Sequence, residues 1–210
     1  METVRRRRRS RQETESELLD AALRLLARDG VLAGINLREV AQEAGVNHGQ
    51  IYQYFGSRQA LLRAAISRLL TENRPDPARH WKLPFGARRL AMWRWARKQA
   101  PMLRLQALLA LDGDQEVTLF PEIERTRRSL ARDQEDGSLS PDVDPEVAHA
   151  LTAATYLGYC VFRATLSREL ALSPEELDRR AETVYTAMLS GLSGPAPSAP
   201  DRSGRPAISR

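Results

Sequence analysis

The sequence predicts an all-α fold of about nine helices, in which a small N-terminal helix-turn-helix unit precedes a larger helical domain. Three observations carry that prediction. Apolar residues recur at helical spacing from Leu18 to Leu192, helix-start signals stand directly in front of the apolar stripes, and from Phe85 onward no strand pattern of any length occurs.

The elements follow in order. Leu18, Ala22, Leu25 and Leu26 form the stripe of a first helix over residues 12–29, with Gly30 as its C-terminal cap. Asn36 precedes Leu37, Val40, Ala41 and Ala44, and Glu39 stands three residues after it as in a capping box, so a second, short helix ends at Gly45. Asn47 caps a third helix with Gln50 at its N3 position, and Val46 can reach Ile51 as a hydrophobic staple. Gly56 closes that helix, and Ser57 caps a fourth whose apolar face is Leu61, Leu62, Ala65, Ile66 and Leu69. The segment "NRPDPARHWKLP" then breaks the pattern. Beyond it, "GARRLAMWRWARKQA" and "PMLRLQALLAL" are two helices split by Pro101, and "PEIERTRRSLARDQEDG" is a third with Pro121 at N1. Asp144-Pro145-Glu146 opens a helix carrying Val147, Leu151, Ala154, Gly158, Val161 and Thr165 along one side. Ser173-Pro174-Glu175-Glu176 opens the last, with Leu177, Ala181, Val184, Met188 and Leu192 on its stripe. The domain boundaries read as a disordered basic arm over 1–11, a helix-turn-helix unit over 12–72, a helical domain over 73–192 and a disordered tail over 193–210.

Composition limits the class. The chain has 210 residues, 42% of them hydrophobic, which is ample for a buried core. One cysteine, Cys160, excludes an internal disulfide framework and a four-cysteine zinc site, and it reads as a small buried apolar side chain. No apolar run approaches the roughly 18 residues of a membrane span. A cytoplasmic location is expected. The net charge is +5, and the basic excess is terminal, with thirteen basic against nine acidic residues over 1–74 and sixteen against seventeen over 75–192. Most of it comes from "RRRRRSR", Arg5 to Arg11, which suits a polyanion such as DNA or is a solvated tail.

The third helix, "NHGQIYQYFGS", holds only two strongly apolar residues, Ile51 and Phe55. Their i, i+4 spacing fastens one face and leaves His48, Gly49, Gln50, Tyr52, Gln53 and Tyr54 on or near the outer one. Two short helices joined by "AGVN" have helix-turn-helix spacing, and a helix of this kind fits a major groove about 12 Å wide. Glutamine can bond adenine there and tyrosine hydroxyls can reach phosphates.

From Leu18 to Ile66 the chain resembles the DNA-binding domain of the TetR family of bacterial transcriptional regulators, on its glycines, its "IYQYF" core and the cap before the fourth helix. The resemblance implies phosphate contacts at Tyr52, Tyr54 and Arg58, base contacts among Arg38, His48, Gly49, Gln50 and Gln53, and Asn47 within the same DNA-binding set. Asn36, Asn47 and Arg58 replace the family's usual threonine, serine and lysine while keeping their physical roles. The resemblance further implies a homodimer whose last two long helices pair with their symmetry mates, through Leu151, Ala154, Gly158, Val161, Ala181, Val184 and Met188. The other reading of these faces is burial within one subunit. A two-fold pair would read two half-sites about 34–36 Å apart or a multiple of it. A small-molecule pocket in the second domain is implied as well, with Trp93, Met102, Leu105, Phe120, Tyr156, Tyr159 and Phe162 as candidate lining or, on the plainer reading, as core. Trp93 and Trp95, two apart on a helix, face different ways.

His48, His80 and His149 form no metal-ligand cluster in sequence, and no HExxH, CxxC, GxSxG or GxxxxGK[ST] occurs. No catalytic residue and no cofactor are assigned. The resulting expectation is a sequence-specific DNA-binding regulator, a ligand-responsive repressor that binds a palindromic operator as a homodimer. The alternatives are a non-sequence-specific architectural DNA-binding protein driven by the arginine arm, and an all-helical ligand-binding or enzymatic protein.

Overall fold

The computed structural model describes residues 10–29, 35–73 and 75–194. The arginine run up to residue 9, Gly30 and the tail from residue 195 therefore lie outside the described residues.

The N-terminal unit comprises α1 (Arg11–Asp29), α2 (Leu37–Glu43), α3 (His48–Phe55) and α4 (Arg58–Glu72). Helix α1 begins inside the expected arm. The Ser10 hydroxyl accepts the Glu13 N–H at 3.1 Å and the Glu13 carboxylate accepts the Ser10 N–H at 2.7 Å, a capping box that draws Arg11 into the first turn. The S-x-x-E signal for it stands in the sequence. Asn36, Asn47 and Ser57 cap α2, α3 and α4 as expected. Each such cap contributes about 0.5–2 kcal/mol. Gly45 (φ 64°) and Gly56 (φ 75°) hold left-handed backbone at the two turns around α3, where any side chain would be strained.

The larger part comprises α5 (Pro77–His80), α6 (Phe85–Lys98), α7 (Ala100–Leu111), α8 (Ile123–Glu135), α9 (Pro145–Glu169) and α10 (Pro174–Ser190). That makes ten helices among the described residues, one more than expected. The addition is α5, a single turn in which Asp76 caps the Ala78 N–H and Pro77 occupies the first position. Helix α8 starts later than expected, at Ile123, so Pro121 is not its N1 residue. Phe120, which would have to cap a helix starting there, has no side-chain acceptor and instead packs edge-on against His149.

Two hydrophobic cores organise these helices. The first joins α1 to α4 around Leu18, Ala22, Val40, Ile51, Leu61 and Ala65, and it extends into α7 through Met102, Leu105 and Leu109. The second gathers Phe85, Trp93, Leu103, Leu130, Tyr156, Cys160 and Tyr185. Helix α7 is apolar around much of its circumference, and so it serves both cores at once. Arg63 of α4 reinforces the junction by pairing with Asp114 at 2.6 Å and Glu116 at 2.7 Å in the loop after α7. That hydrogen bond from Arg63 holds the Asp114 carboxyl below the usual carboxylate range. Cys160 is buried as expected, and burial raises its thiol to about 11.

Helices α9 and α10 each present two different sides. Ala153, Tyr156 and Cys160 on α9, with Leu177, Tyr185 and Leu189 on α10, belong to the second core. Leu151 (65% exposed) on α9 and Val184 (61%) and Met188 on α10 are turned to solvent. The α10 stripe expected from the sequence is thus divided, with Leu177 inside and Val184 and Met188 outside.

Candidate nucleic-acid interface and adjoining cavity

Helix α3 is secured at its start by a reciprocal cap. The Asn47 side chain accepts the Gly49 N–H at 2.8 Å, and the Gln50 side-chain oxygen accepts the Asn47 N–H at 3.1 Å. Ile51 is fully buried and Phe55 half-buried against the first core, so the opposite side is free to face outward. Gly49, Tyr52 and Gln53 are exposed, while His48 and Gln50 are half-buried. Tyr52 meets His48 edge-on with ring centroids 5.4 Å apart.

Two of the expected DNA-contacting residues have other partners in the structure. Gln50 was expected to read bases, but bidentate pairing with adenine needs its side-chain oxygen as well as its amide, and the oxygen is committed to the cap. Tyr54 is only half-exposed. It packs on the first core, and Arg11 lies over its ring at 5.4 Å from the centroid. The contact brings the first residue of α1, and with it the entry of the chain, beside α3.

The arginines of the N-terminal unit fall into two groups. Arg24 pairs with Glu43, Arg28 with Asp29 and Glu39, Arg63 with Asp114 and Glu116, and Arg68 with Asp20 and Glu72. Arg38, in the first turn of α2, and Arg58, in the first turn of α4, are exposed and in no ion pair among the described residues. Each stands at a helix N-terminus, where backbone N–H groups also favour anions. Two exposed cations in no described ion pair thus belong to the helices directly before and after α3, a third, Arg11, lies over the Tyr54 ring, and Arg24, Arg28, Arg63 and Arg68 are neutralised in place.

A cavity of about 670 Å³ lies between α4 and the second part. Its lining includes Ser67, Leu70 and Thr71 of α4, Trp81, Met92 and Trp95, the segment from Glu116 to Glu122, and Tyr156 and Leu157 of α9. Of the seven residues expected to line a pocket, Phe120 and Tyr156 do so. Trp93 and Tyr159 are core, with Trp93 stacked between Tyr159 and Tyr185 at centroid distances of 4.7 Å. Met102 and Leu105 face the first core, and Phe162 is 59% exposed on α9. Trp95 does point away from Trp93, and its indole N–H donates to the Asn73 carbonyl.

Residues that the sequence did not single out complete the wall. Gln106 is buried and donates to the Thr118 carbonyl at 2.9 Å. Arg88 and Arg89 are both buried, and Arg88 pairs with the fully buried Asp133. His149 lines the cavity too, and burial, with Arg89 and Arg88 nearby, lowers its pKa to about 3. The adjacent arginines on a helix were the only sequence signal for this cluster.

Residues 18–65 match the family model described as bacterial regulatory proteins, tetR family. Among curated relatives, the HTH-type transcriptional regulator BetI of Paraburkholderia phymatum is 26% identical over 182 residues, covering 87% of this chain and 80% of that protein. The BetI of Rhizobium meliloti is 44% identical over 59 residues, 28% of this chain and 29% of its own. Among solved structures, Mycobacterium smegmatis BioQ aligns with a TM-score of 0.61 at 22% identity, covering 85% of this chain and 99% of its own. Salmonella enterica GusR aligns at 0.60 and 20%, covering 88% and 97%. These structural likenesses concern the fold.

Proposed function

We propose that this chain, which belongs to the TetR family and is a sequence-specific, ligand-responsive DNA-binding transcription regulator, acts in the cytoplasm as a homodimeric repressor of a palindromic operator. The observation that carries the reading is that Arg38 and Arg58, exposed and in no ion pair among the described residues, belong to the helices directly before and after α3, whose exposed residues are polar. On this reading α3 enters the major groove, Gln53, His48, Gly49 and Arg38 meet base edges, and Tyr52, Tyr54 and Arg58 meet the backbone. Asn47 and Gln50 hold the start of α3 in shape and present their remaining polar atoms at the same surface. Exposed Leu151 and Ala154 and half-buried Gly158 and Val161 on α9, with exposed Val184 and Met188 on α10, supply the dimer seam, and Ala181, which packs on the second core, borders it. A Cβ added at Gly158 meets nothing within 4 Å in one subunit, which leaves room for close approach of a second.

The cavity supports the effector half of the proposal, because α4 is shared. One side of α4 lines the cavity, its first turn carries Arg58, and its buried face packs in the same core as α3. An effector that fits only one arrangement of α4 against α7 would shift the spacing of the two α3 helices across the dimer. Such a ligand moves the equilibrium only by its differential affinity for the two states, typically about 1–3 kcal/mol.

The test is selection of bound sequences from random duplex DNA by the purified protein at near-physiological salt. Enrichment of an inverted repeat is the expected result. Binding without enrichment, weakening steeply with salt, would overturn the operator reading in favour of architectural binding.

A further inference from the structure

The wall of the cavity holds a cation that is in no ion pair among the described residues. Arg89 is 2% exposed and lines the cavity, yet it is in no ion pair with a described carboxylate, whereas its neighbour Arg88 pairs with Asp133. One terminal nitrogen of Arg89 meets His149 Nδ1 and the other donates to the Tyr156 hydroxyl at 3.3 Å. Its Nε is buried without a partner.

A guanidinium has donors only, so His149 Nδ1 must accept, and the single ring proton of the neutral imidazole then sits on Nε2. That Nε2 is also buried without a partner. One fixed positive charge and two orphaned donors therefore share the site, and the two carboxylates of the cavity lining do not serve them. Glu116 is turned to Arg63, and Glu122 has interactions of its own without forming an ion pair with Arg89. An unpaired buried charge costs several kcal/mol, which an incoming opposite charge offsets. The wall around the cluster is apolar and aromatic, with Leu70, Met92, Trp95, Leu103 and Phe120.

We propose that the cavity binds an apolar organic acid, whose carboxylate pairs with Arg89 and accepts from His149 while its hydrocarbon or aromatic body lies along the apolar wall. Cationic compounds of the same shape are rejected, because they would add a second positive charge beside Arg89. The inference rests on the reading of this cavity as the effector site.

The test is calorimetric titration of the full chain, without DNA, with naphthylacetate, naphthylethanol and naphthylethylammonium, which share a ring system and differ in head group. The acid is expected to bind at least about tenfold more tightly than the alcohol, a difference of about 1.4 kcal/mol, and the ammonium not at all at millimolar concentration. Arg89→Met is expected to lose the preference while still binding the alcohol, and Arg89→Lys to keep part of it. Equal affinity for acid and alcohol, binding of the ammonium, no binding of the acid at millimolar concentration, or an unchanged preference in Arg89→Met would each overturn the proposal. The wild-type series decides it if Arg89→Met does not fold. Acid that binds but leaves the selected operator occupied would overturn the effector reading alone, and acid that fails to bind a protein with a selected operator would overturn this inference alone.

Discussion

The outer face of α3 and the wall of the cavity both carry polar groups short of partners, but the two regions sit in different solvents. On α3, Tyr52, Gln53 and the nearby Arg38 and Arg58 have water as a partner, so being unpaired costs them little. In the wall, Arg89 Nε and His149 Nε2 are buried with no hydrogen-bond partner among the described residues, and each buried group of this kind costs about 1–3 kcal/mol. Absence of a partner is therefore informative on the surface only when it distinguishes some cations from others, as it does for Arg38 and Arg58. In the interior a single orphaned donor already describes the chemistry of its missing acceptor.

The largest effect is expected at a third surface on which both regions depend. Val184→Glu would place an unpaired charge in the proposed seam, which typically costs about 3–5 kcal/mol, enough to yield a monomer by light scattering with unchanged helix content. A variant that remains dimeric would exclude that seam. The cavity wall should next reveal itself through pH. His149 titrates near 3 in the folded chain against 6.5 for the free side chain, so the unfolded state binds more protons between those values. The stability this confers is complete above pH 6.5 and is lost as pH falls, by roughly 3 kcal/mol at pH 4 at 1.36 kcal/mol per unit. Denaturant midpoints measured across that range should show a slope that His149→Phe flattens, and an equal slope in the variant would remove His149 from the account.

On the α3 side, Gln53→Ala should relax preference at one operator position by about 1–3 kcal/mol, whereas Arg58→Ala should weaken binding to all sequences and reduce the salt slope by about 0.9. If both variants lose specificity alike, the division between base and backbone contacts is wrong. The smallest effect is expected from Gln50→Ala, a loss of about 0.5–2 kcal/mol in folding stability from the cap, read by thermal melting in the absence of DNA. A loss of base preference with unchanged melting would return Gln50 to the role of a base reader.

Much of the first region was legible from the residues in order. Asn47, Gln50 and Gly56 mark the ends of α3 because caps and left-handed turns are local in sequence, and Ile51 with Phe55 marks its buried side because helical period is local too. The same rules would have found Ser10 with Glu13 and Asp76 with Pro77, both of which carry ordinary start signals. What the local rules could not decide is the use of a side chain that satisfies two of them. Gln50 qualifies as cap and as base reader, and only its distance to the Asn47 N–H distinguishes them.

The cavity was largely illegible for a physical reason. Trp93, Tyr159, Met102 and Leu105 are as apolar as true lining residues, and whether an apolar side chain meets a void or another side chain depends on helices distant in sequence. Arg89 and His149 lie sixty residues apart, and their pairing follows from the packing of α6 against α9. By itself, then, the sequence determined the helices, their caps and the polar face of α3, because these follow from hydrogen bonds and periodicity within a few turns of one chain segment. Only the tertiary structure decided that α7 joins two cores, which arginines are neutralised and which buried cation is in no ion pair among the described residues, because burial and ion pairing belong to groups that meet in space.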